Sequence, residues 1–281
     1  MGDMQLGRRG LMAGATGLAL GGAFGAPVLA QGSRTLRVRF GSDISQLDPA
    51  RIFQNENQSI AGHVYSGLVQ YDQATNAIVP DLATGHEVSS DGTAWTFRLR
   101  PNVTWHKGYG AFTSDDVRFS FERILDPATG SPYRGQLTGL REIQTPDPMT
   151  VRFILDEANS GFLHKLCAFN QGWLVSRRAV TEIGERYSTN PIGTGPFVFE
   201  RWTAGNEVRL SANPEYFGGP STLSEVVFRI VRDETAAAIA LENRELDIFY
   251  ALQAPEVIER LRRVSGISVL DRPANNTVNL V

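Results

Sequence analysis

Four histidines, one cysteine and two adjacent aspartates are the residues of this chain whose types could do chemistry. His63, His86, His106 and His164 lie far apart and form no His-x-x-x-His or His-Glu pair. A metal site built on one helix needs ligands one turn apart, so each histidine reads as a structural or surface residue. Cys167 is the only cysteine, within the apolar, helix-like run Phe162-Leu163-His164-Lys165-Leu166-Cys167-Ala168-Phe169. That setting fits a buried thiol rather than a nucleophile, and one cysteine makes no disulfide framework. Asp115-Asp116 resembles an acid/base pair, but it follows Thr113 at the start of an apolar stripe, where capping and dipole compensation explain it better. Ser66 sits in Val64-Tyr65-Ser66-Gly67, not in a Gly-x-Ser-x-Gly elbow. No residue marks a pair of carboxylates for glycoside hydrolysis. A binding protein therefore fits these residues better than an enzyme, and no cofactor or metal is expected.

Pro191-Ile192-Gly193-Thr194-Gly195-Pro196-Phe197 is the most distinctive stretch. Its glycines open backbone angles closed to other residues, and its prolines fix φ on either side. Such a loop can present backbone donors and acceptors to something pressed against it. It lacks the Gly-Lys-Ser/Thr ending of a phosphate-binding loop.

Several elements must position these groups. Alternation predicts strands at 35–40, 95–99, 151–155 and 226–231, and a hairpin of 197–202 with 207–210 turning at Ala204-Gly205-Asn206. Residues 68–71 and 247–250 read as extended, and 267–270 and 277–281 as closing strands. Thr113 with Asp116 forms a Thr-x-x-Asp capping box for a helix carrying Val117, Phe121, Ile124 and Leu125 on one face, and Asp126-Pro127 stops it. Further helices are expected over 60–68, 162–169 and 178–184, after Asp233, and from Pro255 to 264. Hairpins mixed with βα units predict an α/β, mixed α+β fold.

Residues 1–30 read as an export signal: Arg8-Arg9, a Gly/Ala-rich apolar run, then Pro27 and Val28-Leu29-Ala30 before cleavage. Paired arginines before so weakly hydrophobic a core point to the twin-arginine route and a periplasmic destination. The segment contains Asp3, Arg8 and Arg9, so its removal takes the net charge from −3 to −4. That balance offers no basic stripe for nucleic acid, and no later segment has the length of a membrane span.

Leu82-Ala83-Thr84-Gly85-His86-Glu87-Val88-Ser89-Ser90-Asp91-Gly92, followed by Trp95-Thr96-Phe97-Arg98-Leu99-Arg100, resembles a block of the bacterial family 5 extracellular solute-binding proteins. So do Phe112-Thr113-Ser114-Asp115-Asp116-Val117-Arg118-Phe119-Ser120-Phe121-Glu122-Arg123, the Gly193-Thr194-Gly195-Pro196 loop and Asn213-Pro214-Glu215-Tyr216-Phe217-Gly218-Gly219, in the same order. The resemblance runs from Thr35 to Val281. It implies the substrate-binding component of an ABC importer for oligopeptides or dipeptides, with a permease and ATPase subunits as partners. The implied fold is of the type II periplasmic binding protein kind, its two lobes closing on ligand. Within it, 31–50 is the first strand of lobe I, 51–189 a family-specific subdomain, and 190–281 the rest of lobe I up to the crossing strand. Family chains are roughly twice as long, so a C-terminal truncation that removes the second lobe is expected, with weak or no solute binding as its consequence. Trp105-His106-Lys107-Gly108-Tyr109-Gly110-Ala111 departs from the family's turn by one residue, either as a selectivity loop near the cleft or as an exposed connection.

The cleft-facing candidates are Ser42, Asp43 and Ile44 after the first strand, Tyr133 beyond the capped helix, and Asn275 and Asn276 before the last strand. Arg134 is a candidate for an anionic ligand group. Each also fits a turn or surface residue. A nickel chelate, haem, an opine or an oligosaccharide are alternative solutes, and a periplasmic chaperone or a secreted hydrolase are alternatives of another class.

Overall fold

The computed structural model describes residues 34–72, 74–167 and 170–270. In chain order the elements are β1 (Thr35–Phe40), α1 (Asn55–Val64), β2 (Val69–Tyr71), β3 (Ile78–Pro80), β4 (Ala83–Val88), β5 (Ala94–Leu99), α2 (Ser114–Leu125), β6 (Leu140–Asp147) and β7 (Thr150–Leu155). There follow α3 (Phe162–Lys165), α4 (Arg177–Ile183), β8 (Phe197–Thr203), β9 (Glu207–Ala212), β10 (Glu225–Ile230), α5 (Glu234–Glu242), β11 (Ile248–Phe249) and α6 (Pro255–Leu261). The mixed α/β class is as the sequence predicts.

A five-stranded sheet has the order β11-β1-β10-β9-β8. β1 runs parallel to both β10 and β11, while β10-β9 and β9-β8 are antiparallel. One face is apolar, with Val38, Phe40, Val208, Leu210, Val226 and Phe228 buried in one core with Ile60, Ala61 and Val64 of α1. A second sheet, β4-β5-β7-β6, is wholly antiparallel. Phe153 is its hub, edge-on to Phe97 (5.8 Å) and Phe121 of α2 (5.2 Å).

The capping box forms, with Asp116 Oδ2 accepting the Thr113 N–H at 3.0 Å. The same carboxylate accepts Trp105 Nε1–H (3.2 Å) and the Arg177 N–H (3.0 Å), so it ties the start of α2 to α4. Burial raises its carboxyl pKa, and those donors oppose the rise. It is a structural group, as capping implies. Asp126 ends α2, and Asp233 caps α5 by accepting the Ala236 N–H at 2.7 Å.

Five elements differ from the sequence reading. α1 begins at Asn55 rather than 60, because its first turn, Asn-Glu-Asn-Gln-Ser, is polar and is held by hydrogen bonds such as Ser59 Oγ to Asn55 O (2.8 Å). β4 and β6 carry no alternation to read, since both are sheet edges and mostly exposed. The helix at 162 stops at Lys165, well short of 169. Residues 267–270 form no strand; Ile267 closes a turn to Val264 instead (3.3 Å). The signal over 1–30 and the strand at 277–281 lie outside the described residues.

Candidate functional site

Parallel strands bring their carboxyl ends to one side of a sheet, and ligands of open α/β sheets bind in the crevice there. Here β1, β10 and β11 end together. Arg39, almost fully buried, holds the three ends in place: Nε donates to Val231 O (2.8 Å), Nη2 to Arg232 O (2.9 Å) and Nη1 to Tyr250 O (3.4 Å). The guanidinium also lies over the Phe249 ring at 4.8 Å. Gly41 makes room for it, since a Cβ there would stand 3.1 Å from Arg39 Nη1. Burial draws the Arg39 pKa down, and Glu234, Glu56 and Asp233 oppose that.

The ends frame an open hollow of about 220 Å³, bordered by Arg39, Gly41, Glu56, Glu234, Tyr250 and Gln253. The carboxylates at its rim are not equally free. Glu234 accepts the Gln253 and Ala254 N–H groups (3.2 and 2.8 Å), which caps the approach to α6. Glu56, in the first turn of α1, accepts only Ser42 Oγ–H (2.7 Å) among the described residues. Tyr250 at this rim is 56% exposed, as is Phe53 (69%) just before α1. Ala251 holds φ at 57°, a left-handed angle unusual outside glycine and typical of ligand-contacting loops.

Of the residues expected from sequence, Ser42 meets this mouth through Glu56. Asp43 turns inward: Oδ1 accepts Trp202 Nε1–H (2.9 Å) and its neighbour Ile44 N–H (2.8 Å), and Oδ2 the Gly205 N–H (2.5 Å). Its carboxylate is spent on pinning the segment after β1 to the β8–β9 turn. Ile44 is buried in the core. Tyr133 is buried too, its hydroxyl donating to Ile52 O, while Arg134 is exposed beside it; neither borders the hollow. Asn275 and Asn276 lie outside the described residues. Sequence reasoning missed Arg39, which reads as an ordinary outward residue of an alternating strand. It also missed Glu56, hidden in the polar opening of α1. For Arg39, its place at the carboxyl end of β1 was the available signal; Glu56, in α1, carried none.

The Gly193–Pro196 loop is not part of the mouth. Gly195 N–H donates to Val64 O (2.9 Å) at the end of α1, and His106 donates N–H to Gly193 O (2.9 Å) and Nε2–H to Gly195 O (3.0 Å). Asn213 Nδ2–H reaches Gly195 O as well (3.0 Å). What presses against this loop is the chain's own helix. Neither glycine has a positive φ, so the reason for glycine is close approach rather than backbone angle. A Cβ at Gly193 would fall 1.9 Å from Val64 O, and one at Gly195 2.6 Å from His63 O. The 105–111 turn is likewise a clasp on this loop through His106, and none of its residues borders the hollow.

The geometry defines a periplasmic-binding-protein fold with a strand-end crevice, and comparison with known proteins agrees. A solved structure of the solute-binding protein MoaA from Agrobacterium tumefaciens R10 in complex with mannopinic acid superposes with a TM-score of 0.78 at 32% identity, over 82% of this chain and 47% of that one. The periplasmic DppA of Helicobacter pylori, in complex with the peptide STSA, gives 0.76 at 30% identity, over 82% and 49%. Di/tripeptide-binding protein 2 of Pseudomonas aeruginosa is 33% identical over 249 residues, 81% of this chain and 46% of that protein. The model of bacterial extracellular solute-binding proteins, family 5, matches residues 77–281. The chain belongs to that family, and it spans about half the length of the relatives it matches. The family is one of solute-binding proteins rather than enzymes, and no described helix is long and apolar enough to cross a membrane.

Proposed function

We propose that this chain supplies one wall of the solute-binding cleft of a periplasmic ABC-importer component, and that the solute is a short peptide held at its amine end. The observation that carries this is the mouth at the ends of β1, β10 and β11. Its cation, Arg39, is consumed by three carbonyls, while the Glu56 carboxylate keeps an oxygen uncommitted. Such a rim favours an ammonium group. Relatives named for di- and tripeptides, and a neighbour solved with a peptide, support that class. Delivery to the periplasm by the twin-arginine route, and hand-over to a permease with ATPase subunits, complete the reading.

A hollow of about 220 Å³ is smaller than the roughly 300–1,000 Å³ of complete ligand sites. It accommodates one end of a peptide, and the exposed Tyr250 and Phe53 leave apolar surface to be covered by the rest of a cleft. An opine is the second reading, because MoaA was solved with mannopinic acid. Saturation-transfer NMR on the 281-residue chain tests both. Transfer to dialanine is expected, with little to N-acetyl-dialanine and none in Glu56→Gln. Equal transfer to the acetylated peptide overturns the amine contact, and transfer to mannopinic acid alone moves the assignment to opines.

A further inference from the structure

A second cavity, of about 550 Å³, shares no lining residue with the strand-end mouth. It opens between α1, which presents Ser59, Gly62 and His63, and a wall containing Asp81, Trp173 and Tyr216. Asp81 is only 3% exposed. Its Oδ2 accepts the Gly67 N–H at 3.0 Å, and no second donor among the described residues reaches the carboxylate. The nearest cation is diverted: Arg100 sends Nε–H to the Asp81 backbone oxygen (3.0 Å) and lays its guanidinium over Phe217 (5.0 Å). A buried carboxylate without an ion partner is costly, and a cation entering the cavity would relieve that cost. Aromatic faces beside it add attraction for a cation. His63 donates Nδ1–H to Ser59 O (2.6 Å), which leaves Nε2 as an acceptor.

We propose that this cavity is a second binding site, specific for a small alkylammonium ion whose charged end meets Asp81 and whose chain lies against Trp173 and Tyr216. The groups facing Asp81 keep it the only titrating anion there. Burial pushes the phenols of Tyr65, Tyr71 and Tyr216 up and draws the His63 imidazole down, the latter opposed by its bond to the Ser59 carbonyl.

Calorimetric titration of the 281-residue chain with putrescine is the test, with 1,4-butanediol as the uncharged equivalent. Saturable binding of putrescine alone is expected, weakening as pH falls through about 6, where the Asp81 carboxyl takes up a proton. Asp81→Asn keeps an oxygen for the Gly67 N–H and should weaken binding at least ~10-fold by removing the charge. Gly62→Leu is the second variant: a Cβ there makes ordinary contact with Trp173 at 3.6 Å, so a leucine fills the cavity without backbone strain and abolishes binding. Putrescine should still bind in the presence of saturating dialanine, which separates this site from the mouth. No saturation, equal binding of butanediol, wild-type affinity in both cavity variants, or loss of binding under saturating dialanine overturns the proposal.

Discussion

The junction at Gly193–Pro196 and the mouth at the end of β1 are both built from glycine, backbone carbonyls and one basic side chain, yet they differ in what is left over. At the junction the carbonyls of Val64, Gly193 and Gly195 all have donors, and His106 is enclosed. At the mouth Arg39 satisfies three carbonyls, while Glu56 and Tyr250 remain open to a visitor. A loop rich in glycine is thus not a binding loop by composition. What separates scaffold from site is whether the polar groups left over can be reached. At the junction His106 Nδ1 and Thr194 Oγ1 have no partner among the described residues but are sealed inside, while Glu56 and Tyr250 border the hollow.

Gly193→Ala is the severest way to break the contrast. Its Cβ would meet a backbone oxygen at 1.9 Å, so α1 or the loop must move, and a loss of at least about 4 kcal/mol in urea unfolding is expected. Gly41→Ala at the mouth meets only the Arg39 side chain at 3.1 Å, and a displaced guanidinium should cost about 1–2 kcal/mol. Equal losses at the two positions would erase the distinction between scaffold and site.

Asp48→Asn comes next. Asp48 closes the segment that leaves the mouth, and its carboxylate receives both terminal nitrogens of Arg123, one at 2.7 Å, with both side chains buried or nearly so. Removing the charge strands a guanidinium in the interior, and a loss on the order of 3 kcal/mol is expected. A loss below 1 kcal/mol, on the order of a surface pair, would show the ion pair to be solvated.

Two buried titratable groups sharpen the comparison through pH. Burial lowers the His106 pKa from 6.5 to about 4, so its contribution is present above 6.5 and lost as pH falls through about 4. Burial raises Asp81 from 3.8 to about 6, so its contribution is present below 3.8 and lost as pH rises through about 6. The two slopes oppose one another in the same window. Asp81→Asn removes one of them, so the stability of that variant relative to wild type should grow as pH rises from 3.8 to 6, by at most about 2 kcal/mol. A pH-independent difference in melting temperature would show that Asp81 ionises normally in the fold.

Much of this was legible in sequence where a pattern records its own burial. β1, β5, β7, the β8–β9 hairpin and the capped α2 follow from alternation, turn residues and a Thr-x-x-Asp start. The edge strands β4 and β6 were not, because an exposed edge needs no alternation. The site was the hardest part. Asp43 looks like a ligand group in sequence, and only its contacts with Trp202 and Gly205, about 160 positions away, show it to be structural. Arg39 gives no sign in sequence of the three carbonyls that it gathers.

Glu56→Gln should have the smallest effect on the fold. Its Oε1 accepts Ser42 Oγ–H at 2.7 Å, and a glutamine oxygen can accept the same bond, so unfolding free energy should change by less than about 0.5 kcal/mol. Arg39 loses one of the three carboxylates that support its charge but keeps all three carbonyl partners. The same substitution removes the anion left open at the mouth, so peptide-amine transfer should vanish while the melting curve stays in place. A fall in stability as large as that of Gly41→Ala would instead make Glu56 part of the scaffold and leave the mouth without an unspent carboxylate.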